Sequence, residues 1–265
     1  MHENLFSILD QHLTQVPKSW KILLIGDSCV DQYVYGSITR LSPEAPVPVF
    51  VPTKEETKNG MAANVEENLK QLGCTVNLLT MKGSVKTRFI DVKSNQHIMR
   101  LDHDAKSQPI VLETEIPPVY DAVVISDYNK GSVTYDLIQE VCNTFVGPVF
   151  LDTKKSDLAN VGRAIVKINS TEKQLAKTLP EHLIVTHGKH GAEYLDTMYS
   201  APLVEVADVC GAGDTFLAAL VYEYLNTQDI VAAIKFANIA ASITVQHIGV
   251  YAPTLKEINE IAGNS

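Results

Sequence analysis

Short runs of Val, Ile and Leu, each too brief for a helix, recur along this chain between segments with a helical apolar period. Ile22-Leu23-Leu24-Ile25 reads as a buried strand ending at Gly26, and Val76-Asn77-Leu78-Leu79 as the next. Ala122 to Ile125, Val149 to Leu151, Ile165 to Ile168 and Leu183 to Val185 continue the series. Between them, Val65, Leu69 and Leu72 share one helix face, with Gly73 where that helix stops. Val133, Leu137, Ile138 and Val141 share another, and helical patterns dominate after Gly213. A strand that is apolar at every position is covered on both faces. Such strands alternating with amphipathic helices therefore predict an α/β fold built on a mostly parallel sheet.

Two stretches break the rhythm. Residues 32–52 hold Tyr33, Val34 and Tyr35 and then Pro43, Pro46, Pro48 and Pro52, a density that excludes a helix or a central strand. Residues 86–102 mix charged and apolar groups without a helical period. Together they read either as a small sheet covering a site or as surface hairpins without a role.

Charge narrows the classes of partner. With 22 Lys and Arg against 31 Asp and Glu, the net charge is −9, which argues against a nucleic-acid or anionic-lipid binder but leaves room for a local basic pocket. The four cysteines, Cys29, Cys74, Cys142 and Cys210, are far apart and read as reduced thiols of a cytoplasmic protein. Near the N-terminus, Leu5, Ile8, Leu9, Leu13 and Val16 follow a helical period. Asp10 and His12 interrupt any signal-peptide core there. No apolar run is long enough to cross a bilayer as a helix.

The segment Asp208-Val209-Cys210-Gly211-Ala212-Gly213-Asp214-Thr215-Phe216 carries the chemistry. Glycines at 211 and 213 let main-chain N–H groups converge at the start of a helix, where unpaired amides and the helix dipole attract anions. Asp214 falls in the first turn beside that place. A carboxylate base next to an anion cradle is what phosphoryl transfer to an alcohol requires. A plain glycine turn with a capping Asp has the same local pattern.

Those residues resemble the C-terminal signature of the PfkB, or ribokinase-like, carbohydrate kinases. Gly26-Asp27 through Gly36, the block Arg40-Leu41-Ser42-Pro43-Glu44-Ala45-Pro46-Val47-Pro48-Val49 and the block Ser126-Asp127-Tyr128-Asn129-Lys130-Gly131 are similar to the branch acting on D-glycero-D-manno-heptose 7-phosphate. The resemblance implies a three-layer sandwich with a small β-lid (segments 32–52 and 86–102) inserted in a single kinase domain spanning 1–265. It implies ATP and Mg²⁺ as co-substrate and metal, and a homodimer through the lid. It makes Asp214 the base and Gly211, Ala212 and Gly213 the anion hole. Asp31, Gly60 and Asn64 would contact the sugar, and Lys86, Arg88, Lys130 and Lys154 its phosphate or the transferred group. Asn169, Thr186, Gly188, Gly191 and Asn238 would line the nucleotide site, with Glu172 positioning Mg²⁺ through water. From their residue types alone, Asn64 reads rather as a capping residue and Glu172 as an exposed first-turn helix residue.

Two departures stand out. Cys210 occupies a position that is usually threonine, which should leave a main-chain anion hole intact. Between Thr80 and Val85 only Met81-Lys82-Gly83-Ser84 remains where relatives have a longer segment, so part of the sheet edge is expected to be missing. The chain is also expected to act as a kinase alone, because few residues follow Leu255. Two alternatives stay open: a kinase for another sugar or sugar phosphate, and a catalytically silent nucleotide- or sugar-binding relative.

Overall fold

The structure, a computed structural model, describes residues 19–103 and 106–263; the helical face from Leu5 to Val16 lies outside the described residues. The strands are β1 (Lys21–Leu41), β2 (Pro48–Met61), β3 (Thr75–Asp91), β4 (Gln96–His103), β5 (Ala122–Asp127), β6 (Val149–Thr153), β7 (Ile165–Asn169), β8 (Leu183–Thr186), β9 (Ala192–Tyr194) and β10 (Thr197–Tyr199). The helices are α1 (Ala62–Gln71), α2 (Tyr135–Thr144), α3 (Ser170–Leu175), α4 (Ala212–Thr227), α5 (Ile230–Thr244) and α6 (Leu255–Ala262). The sheet order is β10-β9-β8-β7-β6-β5-β1-β3-β4, with β2 on β1. Pairings from β3 through β1, β5, β6 and β7 to β8 are parallel. Those made by β2, β4, β9 and β10 are antiparallel.

Successive strand residues point to opposite faces, which is why the central strands are apolar throughout. Ile22, Leu24, Val124 and Phe150 pack with α1, α4 and α5 on one side, around Leu69, Leu217 and Ile234. Leu23, Ile25, Val123, Ile125 and Leu151 face α2 and its Leu137, Ile138 and Val141 on the other. Thr134 caps α2 through its side chain, and Asp229 caps α5.

Two expectations need correction here. Gly26 does not end the first strand. Its lack of a side chain lets β1 pass close to β5, where a Cβ would meet the Ser126 carbonyl oxygen at 2.2 Å. β1 then leaves β5 and runs on between β2 and β3 for a total of 21 residues. Through the short segment after Thr80, β3 continues for 17 residues parallel to β1, and beside its Thr75–Met81 part no further strand lies on the outer side among the described residues. The segments expected to form the lid are extensions of two central strands, edged by β2 and β4, and β2 reaches Met61 rather than stopping near residue 52. The four cysteines are unpaired thiols, buried except for the half-buried Cys210. No helix among the described residues is long and apolar enough to cross a membrane.

Candidate active site

The glycine turn leads directly into α4. Gly211 precedes its first residue with φ of 78°, a left-handed conformation that glycine adopts without steric cost. Asp214 lies in the first turn and is 4% exposed. Both carboxylate oxygens are engaged: Asn64 Nδ2 donates to Oδ2 at 2.8 Å, and the Tyr128 hydroxyl donates to Oδ1 at 2.7 Å. Burial pushes this acid up to about 6. The two hydrogen bonds and nearby Lys167 pull it down, and Asp152 pushes it further up. A base tuned near neutrality accepts a proton more readily than an ordinary Asp.

Asn64 is itself fixed. Asn68 Nδ2 donates to the Asn64 carbonyl oxygen at 2.8 Å, Thr215 Oγ1 donates to Asn68 Oδ1 at 2.8 Å, and Thr244 Oγ1 to Thr215 Oγ1 at 2.9 Å. This buried chain of polar groups ties α1, α4 and α5 together behind the carboxylate. Tyr128 is placed from the other side by Asp27. The Asp27 carboxylate accepts from the main-chain N–H groups of Tyr128, Lys130 and Ser132 at 2.9, 3.0 and 3.2 Å. Asp127 organises the next layer, accepting from Thr153 Oγ1 at 2.6 Å and pairing with Lys155 at 3.0 Å.

A cavity of about 420 Å³ opens beside the glycine turn. Ala212 and Gly213 line it together with Thr186, Gly188, Gly191 and Asn238, so these predicted nucleotide residues meet the predicted anion hole. Val204, Val206, Ala241 and Val245 give it apolar walls, which suit a planar base. Asn238 lines this space while its Nδ2 donates to the Tyr199 carbonyl oxygen at 2.8 Å. Asn169 is absent from the lining. It caps α3 instead, accepting from Glu172 N at 2.9 Å while Glu172 Oε2 accepts from Asn169 N at 2.7 Å.

Several of the residues expected to contact the sugar and its phosphate are brought together by β1, β2 and β3. Asp31 is buried and ion-paired with Arg88, and Gly60 lies so close that a Cβ there would fall 2.3 Å from Asp31 Oδ2. Lys86 stands opposite Asp31 in the β1–β3 register. The Tyr33 ring carries Arg88 at 5.3 Å and Lys58 at 5.7 Å from its centroid. Lys154 pairs with Glu172 and lies 5.1 Å from the Tyr128 ring centroid, on the Asp214 side. What fixes Lys130 is its main chain, through Asp27 and a hydrogen bond from Ser107 N at 3.0 Å.

Tyr128, Lys167 and Asp152 are the contributors that residue patterns missed. Tyr128 belongs to the Ser126–Gly131 block, but its contact with Asp214 spans 86 positions. Lys167 had a visible signal, a cation in the middle of an otherwise apolar strand.

No group of three or more His, Cys, Asp or Glu among the described residues is arranged to hold a metal. Mg²⁺ commonly keeps several waters and binds through one or two carboxylates plus substrate phosphates. Glu172 is a single carboxylate whose Oε1 is paired with Lys154 and whose Oε2 accepts from Asn169 N, so it would act on a metal only through that metal's waters.

Residues 151–257 match the pfkB family carbohydrate kinase profile. Over most of its length the chain is similar to two curated proteins named "Bifunctional protein HldE". It is 32% identical to that of a Nitratiruptor species over 297 aligned positions covering 91% of this chain, and 32% identical to that of Campylobacter concisus over 94%. The chain spans 64% and 66% of the length of these relatives. Among solved structures, ribokinase from Arabidopsis thaliana, complexed with ribose and ATP, superposes with a TM-score of 0.69 at 16% identity, over 92% of this chain and 99% of that one. Ribokinase from Thermotoga maritima gives 0.67 at 15% identity, over 92% and 100%. Those likenesses establish a ribokinase-like fold. The glycine turn, the profile match over residues 151–257 and the curated relatives agree: on a ribokinase-like fold, the chain carries a segment that matches the pfkB family of carbohydrate kinases.

Proposed function

We propose that this chain transfers the terminal phosphoryl group of ATP to the C1 hydroxyl of D-glycero-D-manno-heptose 7-phosphate. The observation that carries the reading is Asp214. It is a buried carboxylate pushed up to about 6, in the first turn of α4, where Ala212 and Gly213 border the cavity. Asp214 takes the hydroxyl proton as the alcohol oxygen attacks phosphorus. The amides of Gly211, Ala212 and Gly213 stabilise charge gathering on the phosphoryl oxygens. Asp31, Gly60 and Asn64 hold the sugar, with Lys86, Arg88, Lys130 and Lys154 toward its phosphate and the transferred group. Mg²⁺, when present with the nucleotide, offsets phosphate charge, and Glu172 is the carboxylate that would orient its water shell. The β1–β3 extension with β2 and β4 serves as the lid, excluding water from the reaction within a single kinase unit.

Support for the acceptor comes from the Arg40–Val49 and Ser126–Gly131 blocks and from the cationic surroundings of Tyr33. A kinase for another sugar phosphate is the second reading, favoured by the unbroken β3, which takes the place of a longer segment beside the acceptor side. A coupled ATPase assay over a panel of sugar phosphates separates them. The expected result is turnover with the heptose 7-phosphate that disappears on chelation of Mg²⁺. Turnover with a different sugar alone, or with none, sinks the proposal.

Tyr128→Phe provides a sharper check on the base. Removing the donor to Oδ1 raises the Asp214 pKa, so a larger fraction of the base is protonated at neutral pH. The acid limb of the kcat–pH profile is expected to move up by about one unit, with the rate recovering at higher pH. An unmoved limb removes Tyr128 from that role.

Pairing of two chains through the lid, in a cytoplasmic protein, completes the reading. β4 exposes Ile98, Met99 and Leu101 on an open sheet edge. Sedimentation at micromolar concentration is expected to show a dimer, and a strict monomer rules it out.

A further inference from the structure

A buried ion pair lies behind the glycine turn. Lys167 sits in β7 between the fully buried Val166 and Ile168, and is itself only 4% exposed. Its neighbour in register on β6 is Asp152, 7% exposed, and Lys167 Nζ lies 2.7 Å from Asp152 Oδ2. Burying a lysine in a central strand is costly, and the pairing only partly offsets that cost. Methionine or leucine would fit such a strand with less penalty.

The position of the ammonium supplies a reason for its presence. A Cβ added at Gly213 would lie 3.1 Å from Lys167 Nζ, so the cation rests directly against the turn that borders the cavity. We propose that Lys167 is a positioning residue for phosphoryl transfer, its ammonium held by Asp152 behind Gly213 as a fixed positive charge for the phosphoryl group that docks on the turn. This rests on the kinase reading above and extends it to a residue outside the glycine-rich segment. In a site shielded from water, a preorganised charge acts strongly on a developing anion, and it needs no rearrangement when the anion arrives.

The pair also acts on Asp214. The charged and titratable groups that bear on that carboxylate are Asp152 and Lys154 from β6 and the loop after it, Lys167 from β7, Tyr128 after β5, Cys29 from β1 and Cys210 before the turn. Asp152 raises the proton affinity of Asp214 and Lys167 lowers it. Lys167 therefore both faces the turn and shields the base from Asp152.

The test compares a double variant, Lys167→Met with Asp152→Asn, with Lys167→Arg and with Asp152→Asn alone. The double variant removes both charges without stranding either in the core, so its fold is expected to persist in circular dichroism and thermal melts. Turnover with ATP is expected to fall about 10- to 100-fold, while calorimetric binding of ADP stays within a few-fold. Its acid limb stays near the wild-type position, since two opposite influences leave together. Lys167→Arg, which keeps the charge, is expected to retain at least about a third of the rate, clearly above the double variant. Asp152→Asn alone is expected to move the acid limb down by about half a unit or more.

A double variant with wild-type turnover, or Lys167→Arg as impaired as the double variant, overturns the proposal, because the pair then only ties β6 to β7. Wild-type protein that binds no ADP overturns the kinase reading and this inference with it. Wild-type binding and turnover, with an unaffected double variant, overturns the inference alone.

Discussion

Asp214→Asn is expected to lower turnover by about 10²-fold or more, to leave ADP binding nearly intact, and to make the protein more stable. The first effect follows from losing the carboxylate that both Asn64 and Tyr128 hold at the mouth of the glycine turn. The stability gain follows from the same burial that tunes the base. The folded-state pKa of about 6 lies above the ordinary 3.8, so between these values the folded chain binds more protons than the unfolded one. The resulting stabilisation is fully present below about pH 4 and is lost as pH rises through about 6. At pH 7 the ionised carboxylate therefore costs about 3 kcal/mol. Asparagine escapes that cost but turns both charge-assisted hydrogen bonds into neutral ones, the one at Tyr128 with its direction reversed, leaving an expected net gain of about 1 kcal/mol. Chemical denaturation of both proteins from pH 4 to 8 measures it. The gap between variant and wild type should narrow toward pH 4, and near-normal turnover would remove Asp214 from catalysis.

Arg88→Met is expected to have the largest effect on stability. Arg88 and Asp31 form an ion pair whose side chains are 12% and 6% exposed. Removing one partner strands the other, and losses of about 3–5 kcal/mol follow when such a pair is broken. Asp31 is also wedged against Gly60 and within 3.9 Å of Cys29 Sγ, so its carboxylate has little freedom to turn toward water. Acceptor KM is expected to rise at least about tenfold, since the same substitution removes a cation from the Tyr33 surroundings. Replacing both partners, Arg88→Met with Asp31→Asn, should recover much of the stability and none of the acceptor affinity. If the double variant binds acceptor as the wild type does, these residues only secure the strands. A thermal melt and a KM series for each variant distinguish the two roles.

What the chain revealed before its coordinates divides by the range of the interactions involved. Ile22 to Ile25, Ala122 to Ile125 and Ile165 to Ile168 announce themselves because a strand buried on both faces has no polar alternation to confuse it. Gly211 to Asp214 is legible because the turn, the helix start and the carboxylate are contiguous. Tyr128 and Asp214, by contrast, meet only after the sheet has folded, and no local pattern encodes their hydrogen bond. Asn169 and Glu172 show the converse: their three-residue spacing encodes a capping box, which accounts for the pair in local terms alone. Gly26 looked like an end because glycine often marks one. Its actual service, close approach to Ser126, depends on where β5 lies.

The uninterrupted course of β1 and β3 bears on how the acceptor side can open. A cover joined to its base by loose connections could swing as a rigid flap. Here two hydrogen-bonded strands cross that boundary side by side, and their register slips only between Asp27 and Cys29. If these strands act as the proposed lid, opening would flex the paired ribbon near this irregularity. Asp27, which orients the Tyr128 loop, stands at that point, so on the proposed reading admission of the sugar and alignment of Tyr128 would be mechanically joined.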